Sequence, residues 1–132
     1  MAKTYKGFAG KVVDPNRKRF NTTVRENLTL CIGHLTEARQ ALYAKVDDRL
    51  TPKEKNQSWR KVQDMGWMLR HIAGVAMRQG YDQDKVMFLK LRDSLFKMLR
   101  NEYHKSGDFP KLAARALYQA QKILGNVSTR YR

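Results

Sequence analysis

Residues 51–80 contain the stretch that decides the fold, TPKEKNQSWRKVQDMGWMLRHIAGVAMRQG. It opens on Thr51-Pro52-Lys53-Glu54, which predicts a helix start: a threonine cap, an early proline and a glutamate three residues after the cap suit the first turn. Apolar side chains then recur at intervals of three and four, and Gly80 suits a left-handed helix end. They form two adjacent stripes, which predict a helix buried over a wide face: Trp59, Val62, Gly66, Leu69, Ala73 and Ala76 in one, and Met65, Met68, Ile72 and Val75 in the other.

Outside this stretch the sequence predicts three more helices. The first spans about 23–47, opened by a Thr23–Glu26 capping box, and the third runs from an Asp82 cap to Gly107. The fourth runs from 108–110 to Gly125. Short connections between amphipathic helices are typical of bundles. We therefore expect an all-α fold: an antiparallel four-helix bundle over residues 23–125, after a basic, partly extended N-terminal arm (1–22) and before a basic C-terminal tail (126–132).

The charge of the chain is high and unevenly placed. The net charge is +15 on 132 residues, with 27 Lys and Arg against 12 Asp and Glu. Residues 24–50 are neutral and residues 51–132 carry +10. The first 23 residues carry +5, because only Asp14 offsets their six bases, which are Lys3, Lys6, Lys11, Arg17, Lys18 and Arg19. Solubility needs less charge than this, so the excess indicates a polyanionic partner, by default a nucleic acid.

The candidate contacts fall in two groups. Arg17, Lys18 and Arg19 are the first choice, with Lys6 and Lys11 extending the same arm, and the bases Lys90, Lys97 and Arg100 share one face of the third helix. Helix two can add Arg60, Arg70, His71 and Arg78. Because no motif that reads base sequence is present, we expect contacts to phosphates and strong salt dependence. The choice between DNA and RNA stays open.

A protein-interaction module is the competing class. In that hypothesis the basic face docks on an acidic protein surface, such as that of a nucleic-acid enzyme, with Trp67, Tyr81 or Phe109 as anchors. Trp59 and Trp67 are eight residues apart, which allows both to touch one core. A homo-oligomer is also compatible with the wide apolar face of helix two.

Catalysis has little support in the sequence, and we expect no enzyme activity, cofactor or metal. Cys31 and His34 lack the partners of a zinc site, and Cys31 lies on an apolar stripe as a buried thiol does. Arg100-Asn101-Glu102-Tyr103-His104 resembles the Arg-polar-His motif of the all-helical HEPN ribonucleases, with a shorter interval, and this resemblance implies a third hypothesis of RNA cleavage by Arg100 and His104. In outline, without any shared motif, the chain also looks like the accessory bundles of reverse transcriptases in diversity-generating retroelements.

The single cysteine and the lack of a long apolar run indicate the compartment. One cysteine allows no intramolecular disulfide, which suits a reducing environment. No stretch approaches the length of a membrane span, and no secretory signal is visible. We therefore expect a cytoplasmic protein without a membrane partner.

Overall fold

The described residues form four long helices that pack against one another. The structure is a computed structural model, and it describes residues 5–6, 12–43 and 49–132. The helices are α1 (Pro15–Leu42), α2 (Pro52–Arg78), α3 (Asp82–Ser106) and α4 (Lys111–Thr129). Before α1, the two-residue strands β1 (Tyr5–Lys6) and β2 (Val12–Val13) pair with each other. In the described part of the chain no helix is long and apolar enough to cross a membrane.

Helix α2 begins as its sequence predicts. The Thr51 hydroxyl accepts a hydrogen bond from the Glu54 backbone amide, and the Glu54 carboxylate accepts one from the Thr51 amide at 2.6 Å. Pro52 occupies the first turn, where a missing N–H costs nothing. At the other end Gly80 has a φ of 77°, which glycine tolerates and other residues avoid. The connection to α3 is therefore short.

Helix α1 begins eight residues earlier than predicted. Asp14 is its N-cap, with the carboxylate accepting from the Asn16 amide at 2.9 Å, and Pro15 is its first residue. Thr23 and Glu26, predicted to form the capping box, lie inside the helix. Residues 15–22 of the predicted arm are thus helical. The helix also ends earlier, at Leu42, and the predicted extension to 47 lies largely outside the described residues.

The core contains the predicted apolar stripes of all four helices. On α1 the whole stripe is buried, namely Val24, Leu28, Cys31, Leu35, Ala38 and Leu42. Met65, Leu69 and Ile72 of α2 are fully buried, as are Phe88 and Leu99 of α3. Each buried leucine or phenylalanine contributes about 1.5–3 kcal/mol relative to exposure. Trp67 departs from its prediction: it is 64% exposed, while Trp59 packs at the core edge against Tyr103 with ring centroids 5.2 Å apart.

Each helix packs on two others, in the ring α1, α2, α3, α4 and back to α1. Polar contacts follow the same interfaces. The Ser58 hydroxyl of α2 donates to the Ala38 carbonyl of α1 at 2.8 Å and lies 2.5 Å from the Tyr103 hydroxyl of α3. Gln121 of α4 donates to the Ile32 carbonyl of α1 at 3.1 Å. These contacts satisfy polar groups that would otherwise be costly to bury.

The end of the chain belongs to the folded body. Helix α4 continues past Gly125, its predicted stop, to Thr129, so the predicted tail is mostly helical. Tyr131 beyond it is 4% exposed. Its ring packs against Phe20 of α1 and Phe88 of α3, at centroid distances of 6.1 and 5.6 Å. An aromatic close to the C-terminus therefore closes one end of the core.

A charged cluster beside Tyr131 joins three segments of the chain. Arg17 donates two hydrogen bonds to Asp84, at 2.9 and 2.8 Å, and the Tyr131 hydroxyl donates to the same carboxylate at 2.7 Å. The Arg17 guanidinium also lies over the rings of Phe20 and Tyr81, 5.1 and 4.7 Å from their centroids. We call Arg17, Asp84 and Tyr131 the anchor cluster. It fixes the start of α1, the start of α3 and the C-terminus together.

Ionisation of Asp84 supports the anchor cluster above acidic pH. Burial opposes its charge, but hydrogen bonds from Arg17 and Tyr131 outweigh burial and lower the pKa of Asp84 below its ordinary 3.8. A lowered pKa in the folded state means that the carboxylate stabilises the fold above the unfolded-state pKa. That contribution is lost as the pH falls through the folded-state value.

We predict that Asp84→Ala lowers the free energy of unfolding at pH 7 by about 2 kcal/mol, because two charged hydrogen-bond partners lose their acceptor. This is less than for a fully buried pair, since the Arg17 side chain is 37% exposed. Chemical denaturation measures the loss, with exposed Asp82→Ala as the control. The difference between Asp84→Ala and the wild type shrinks below about pH 4. A loss equal to that of the control would contradict the role of the cluster.

Candidate nucleic-acid interface

The structure separates Arg17 from the other first-choice bases. Both ends of its guanidinium bond Asp84, and that interaction raises the pKa of Arg17 further. Its donors therefore serve the fold. Lys18 and Arg19 are exposed on the first turns of α1, and Arg19 also donates to the Asn16 side chain at 2.7 Å.

The bundle brings further bases next to Lys18. A groove of about 450 Å³ is lined by Lys18, Arg25 and Arg132, together with Arg17 and the polar residues Asp14, Asn21 and Thr22. Arg25 donates to the Tyr131 carbonyl at 2.5 Å, which places its charge beside the C-terminus. We call Lys18, Arg19, Arg25 and Arg132 the terminal basic cluster. The sequence did not point to this combination, because its members are far apart along the chain.

The remaining arm residues among the candidates lie beyond what can be located. Lys11 and the side chain of Lys6 are outside the described residues. Their proposed contacts stay predictions.

Helices α2 and α3 form a second basic site, a groove of about 360 Å³ on the outside of the bundle. We call it the α2–α3 groove, and its lining residues are Gln63, Gly66, Trp67 and Arg70 of α2 and Arg92, Asp93 and Phe96 of α3. Arg70 and Arg92 contribute positive charge, and Asp93 is the one carboxylate among these lining residues. Arg92 pairs with it at 3.0 Å. Basic and aromatic side chains are thus combined in one open depression.

The floor of the groove depends on a glycine. The ring of Phe96 lies directly over Gly66, where a β-carbon would collide with it. Phe96 also packs near Trp59, at a centroid distance of 6.2 Å. Because residue 66 has no side chain, Phe96 can lie flat across α2 and leave space beside it. The sequence placed Gly66 in an apolar stripe but did not indicate its partner.

Arginines lie over the aromatic rings of α2. Arg70 lies over the Trp67 ring, 5.3 Å from its centroid, and Arg100 lies over Trp59 at 5.8 Å. Guanidinium groups stack on aromatic faces while keeping donors available at their edges. These two arginines are therefore held at the surface with donors directed outward or sideways, a suitable arrangement for contact with phosphate.

The α3 bases predicted from spacing are all exposed. Lys97 and Arg100 lie within two turns of Asp93 and Phe96 and so extend the basic rim of the groove along α3. Lys90 lines a different depression, with Val86 and Met87. The structure thus joins Arg100 and Lys97 to Arg70 and Arg92. Arg92 was missed in the sequence because its role depends on the α2–α3 packing.

The residues considered for chemistry have ordinary surroundings. Cys31 is fully buried, and its thiol donates to the Met65 carbonyl at 3.6 Å. Burial raises the pKa of Cys31 to about 12. Within residues 5–6, 12–43 and 49–132 there is no group of three His, Cys, Asp or Glu that could hold a metal. Arg100 and His104 are both exposed, and Arg100 is engaged with Trp59.

No family model, curated protein or solved structure matches the chain. The geometry of the basic sites therefore carries the functional argument.

We predict that Cys31 is unreactive in the folded protein. At pH 8 a thiol with a pKa of about 12 is almost wholly protonated, and only the thiolate is nucleophilic. Labelling with a thiol-specific reagent should proceed only after unfolding in denaturant, which provides the positive control. Rapid labelling of the folded chain would show that Cys31 is an accessible, activated nucleophile.

Proposed function

We propose that the protein binds nucleic acid without catalysis, mainly through phosphate contacts at the α2–α3 groove and largely independently of sequence. The carrying observation is that Arg70 and Arg92 from two helices meet at one open groove, with Lys97 and Arg100 along its rim. Arginine suits phosphate because its planar fork of donors matches the phosphate oxygens. A single lining carboxylate offsets only part of this charge.

The charge of the whole molecule favours the same partner. At +15 the chain attracts a polyanion from a distance, and each neutralised phosphate releases counterions into solution. Contacts of this kind are largely insensitive to base sequence. The groove then determines where the polyanion is held.

The terminal basic cluster is a second place for phosphate contact in this proposal. Lys18, Arg19 and Arg132 are exposed there, and a basic arm over residues 1–13 would add Lys3, Lys6 and Lys11 with no acid among them. We further propose an antiparallel bundle. It is supported by contacts that pair late residues of one helix with early residues of the next, such as Ala38 with Ser58. The buried free thiol of Cys31 suits a cytoplasmic location.

A protein-interaction module is the second candidate, favoured by two exposed aromatics. Trp67 is 64% exposed and Phe109 is 58% exposed, so both are available as anchors for an acidic partner. Tyr81, the third predicted anchor, instead packs against Phe20 and Arg17. In this candidate the basic groove recognises carboxylates.

We predict that the affinity for a short single-stranded oligonucleotide falls steeply with salt, because phosphate neutralisation releases counterions. Arg70→Gln combined with Lys97→Gln should reduce the slope of log K against log salt by about 2, one for each lost phosphate contact. Fluorescence anisotropy over a salt series gives both quantities.

The matched control is Lys111→Gln with Arg115→Gln, which removes the same charge from exposed positions of α4. An equal reduction in slope by the control pair would show that only total charge matters. A larger loss from Lys18→Gln with Arg19→Gln would move the main contacts to the terminal basic cluster. Absence of binding at about 50 mM salt, where phosphate contacts are strong, would overturn the proposed function.

A further inference from the structure

Trp67 is too exposed to serve the core. Its side chain is 64% exposed on a helix whose neighbouring residues Met65 and Leu69 are fully buried. Large indole groups on a surface are typical of binding sites, because their rings offer a broad apolar face. Trp67 also lies at the rim of the α2–α3 groove rather than alone on the surface.

The groove beside Trp67 has the character of a site for a flat ring. Its floor is Gly66 under Phe96, and its volume of about 360 Å³ falls in the range of small-ligand pockets. Aromatic surface lies along one side and arginine along the others. A nucleobase has a flat π-face that stacks on such a ring irrespective of its identity.

The charges beside Trp67 match the phosphates on either side of such a base. Arg70 covers the indole 5.3 Å from its centroid, and Arg92 stands on the opposite helix. An exposed cation–π contact is weaker than stacking of a base on tryptophan, so a base can displace Arg70 from the ring. Arg92 gives Asp93 only part of its five donors, which leaves others for a phosphate.

We infer that the α2–α3 groove binds one unpaired base on Trp67 and its flanking phosphates on Arg70 and Arg92, so that the protein prefers single-stranded to duplex nucleic acid. This inference rests on the proposed function and adds its substrate class. In a duplex each base is stacked between its neighbours and offers no free face, whereas a single strand can present its bases outward. Phosphate contacts alone would not make that distinction.

The test compares three labelled probes of equal length: oligothymidylate, an abasic strand with the same phosphates, and a duplex. Trp67→Ala should weaken oligothymidylate binding about ten-fold, the effect of losing one stacked base, and change the other two affinities less than about two-fold. Trp67→Phe keeps a ring and should retain most of the affinity. Circular dichroism checks that each variant folds.

Two further variants place the effect at the groove. Gly66→Ala changes no charge but pushes Phe96 out of place, and it should reduce oligothymidylate binding as Trp67→Ala does. Tyr118→Ala is the matched control, because Tyr118 is also exposed and also lies beside two cations, Arg39 and Lys122, but on another face. It should leave all three affinities unchanged.

The outcomes separate the inference from the proposed function. If the wild type binds all three probes equally, or if Trp67→Ala weakens all of them alike or none, the stacking site is refuted while nucleic-acid binding stands. Loss of oligothymidylate binding in Tyr118→Ala but not in Trp67→Ala would also refute it. If the wild type binds none of the probes but binds polyglutamate, both proposals fail.

Discussion

The ion pair between Arg17 and Asp84 is the constraint on which the arrangement of this bundle depends. It links two helix starts that are 67 residues apart in sequence, and Tyr131 bonds the same carboxylate from the C-terminus. Without it, a charged arginine would sit among Phe20, Tyr81 and Tyr131 with only ring faces for partners. The pair also removes Arg17 from the set of bases available to a ligand, so the most basic stretch of the sequence is partly structural.

Burial of the apolar stripes determines where the remaining charge goes. Once the helices pack in a ring, the bases of α2 and α3 lie outside, where Arg70 and Arg92 face each other across a groove. The aromatics at its margin have a double role, since Trp59 closes the core against Tyr103 while Trp67 remains exposed. The close fit of Phe96 over Gly66 provides the space between them. Core packing and the candidate binding surface are therefore built from the same two helices.

The sequence predicted what depends on local pattern and missed what depends on contacts between distant segments. The stripes and the Thr51 capping box were confirmed because helical periodicity and cap chemistry act within a few residues. The start of α1 was wrong because two cap patterns compete. The Asp14 cap is the one that places Phe20 in the helix, where it packs under Tyr131. Exposure of Trp67 was missed because the stripe rule does not define the edge of the buried arc. The groove needed the α2–α3 pairing, which no local pattern specifies.

The most direct test of the account is an NMR titration with a short single-stranded oligonucleotide, following the indole signals of both tryptophans and the arginine Nε signals. The account predicts that the Trp67 indole shifts strongly and early, together with the side-chain signals of Arg70 and Arg92, while Arg17 is unchanged because Asp84 retains it. Shifts confined to Arg19, Arg25 and Arg132, or an unchanged Trp67 at saturation, would contradict it.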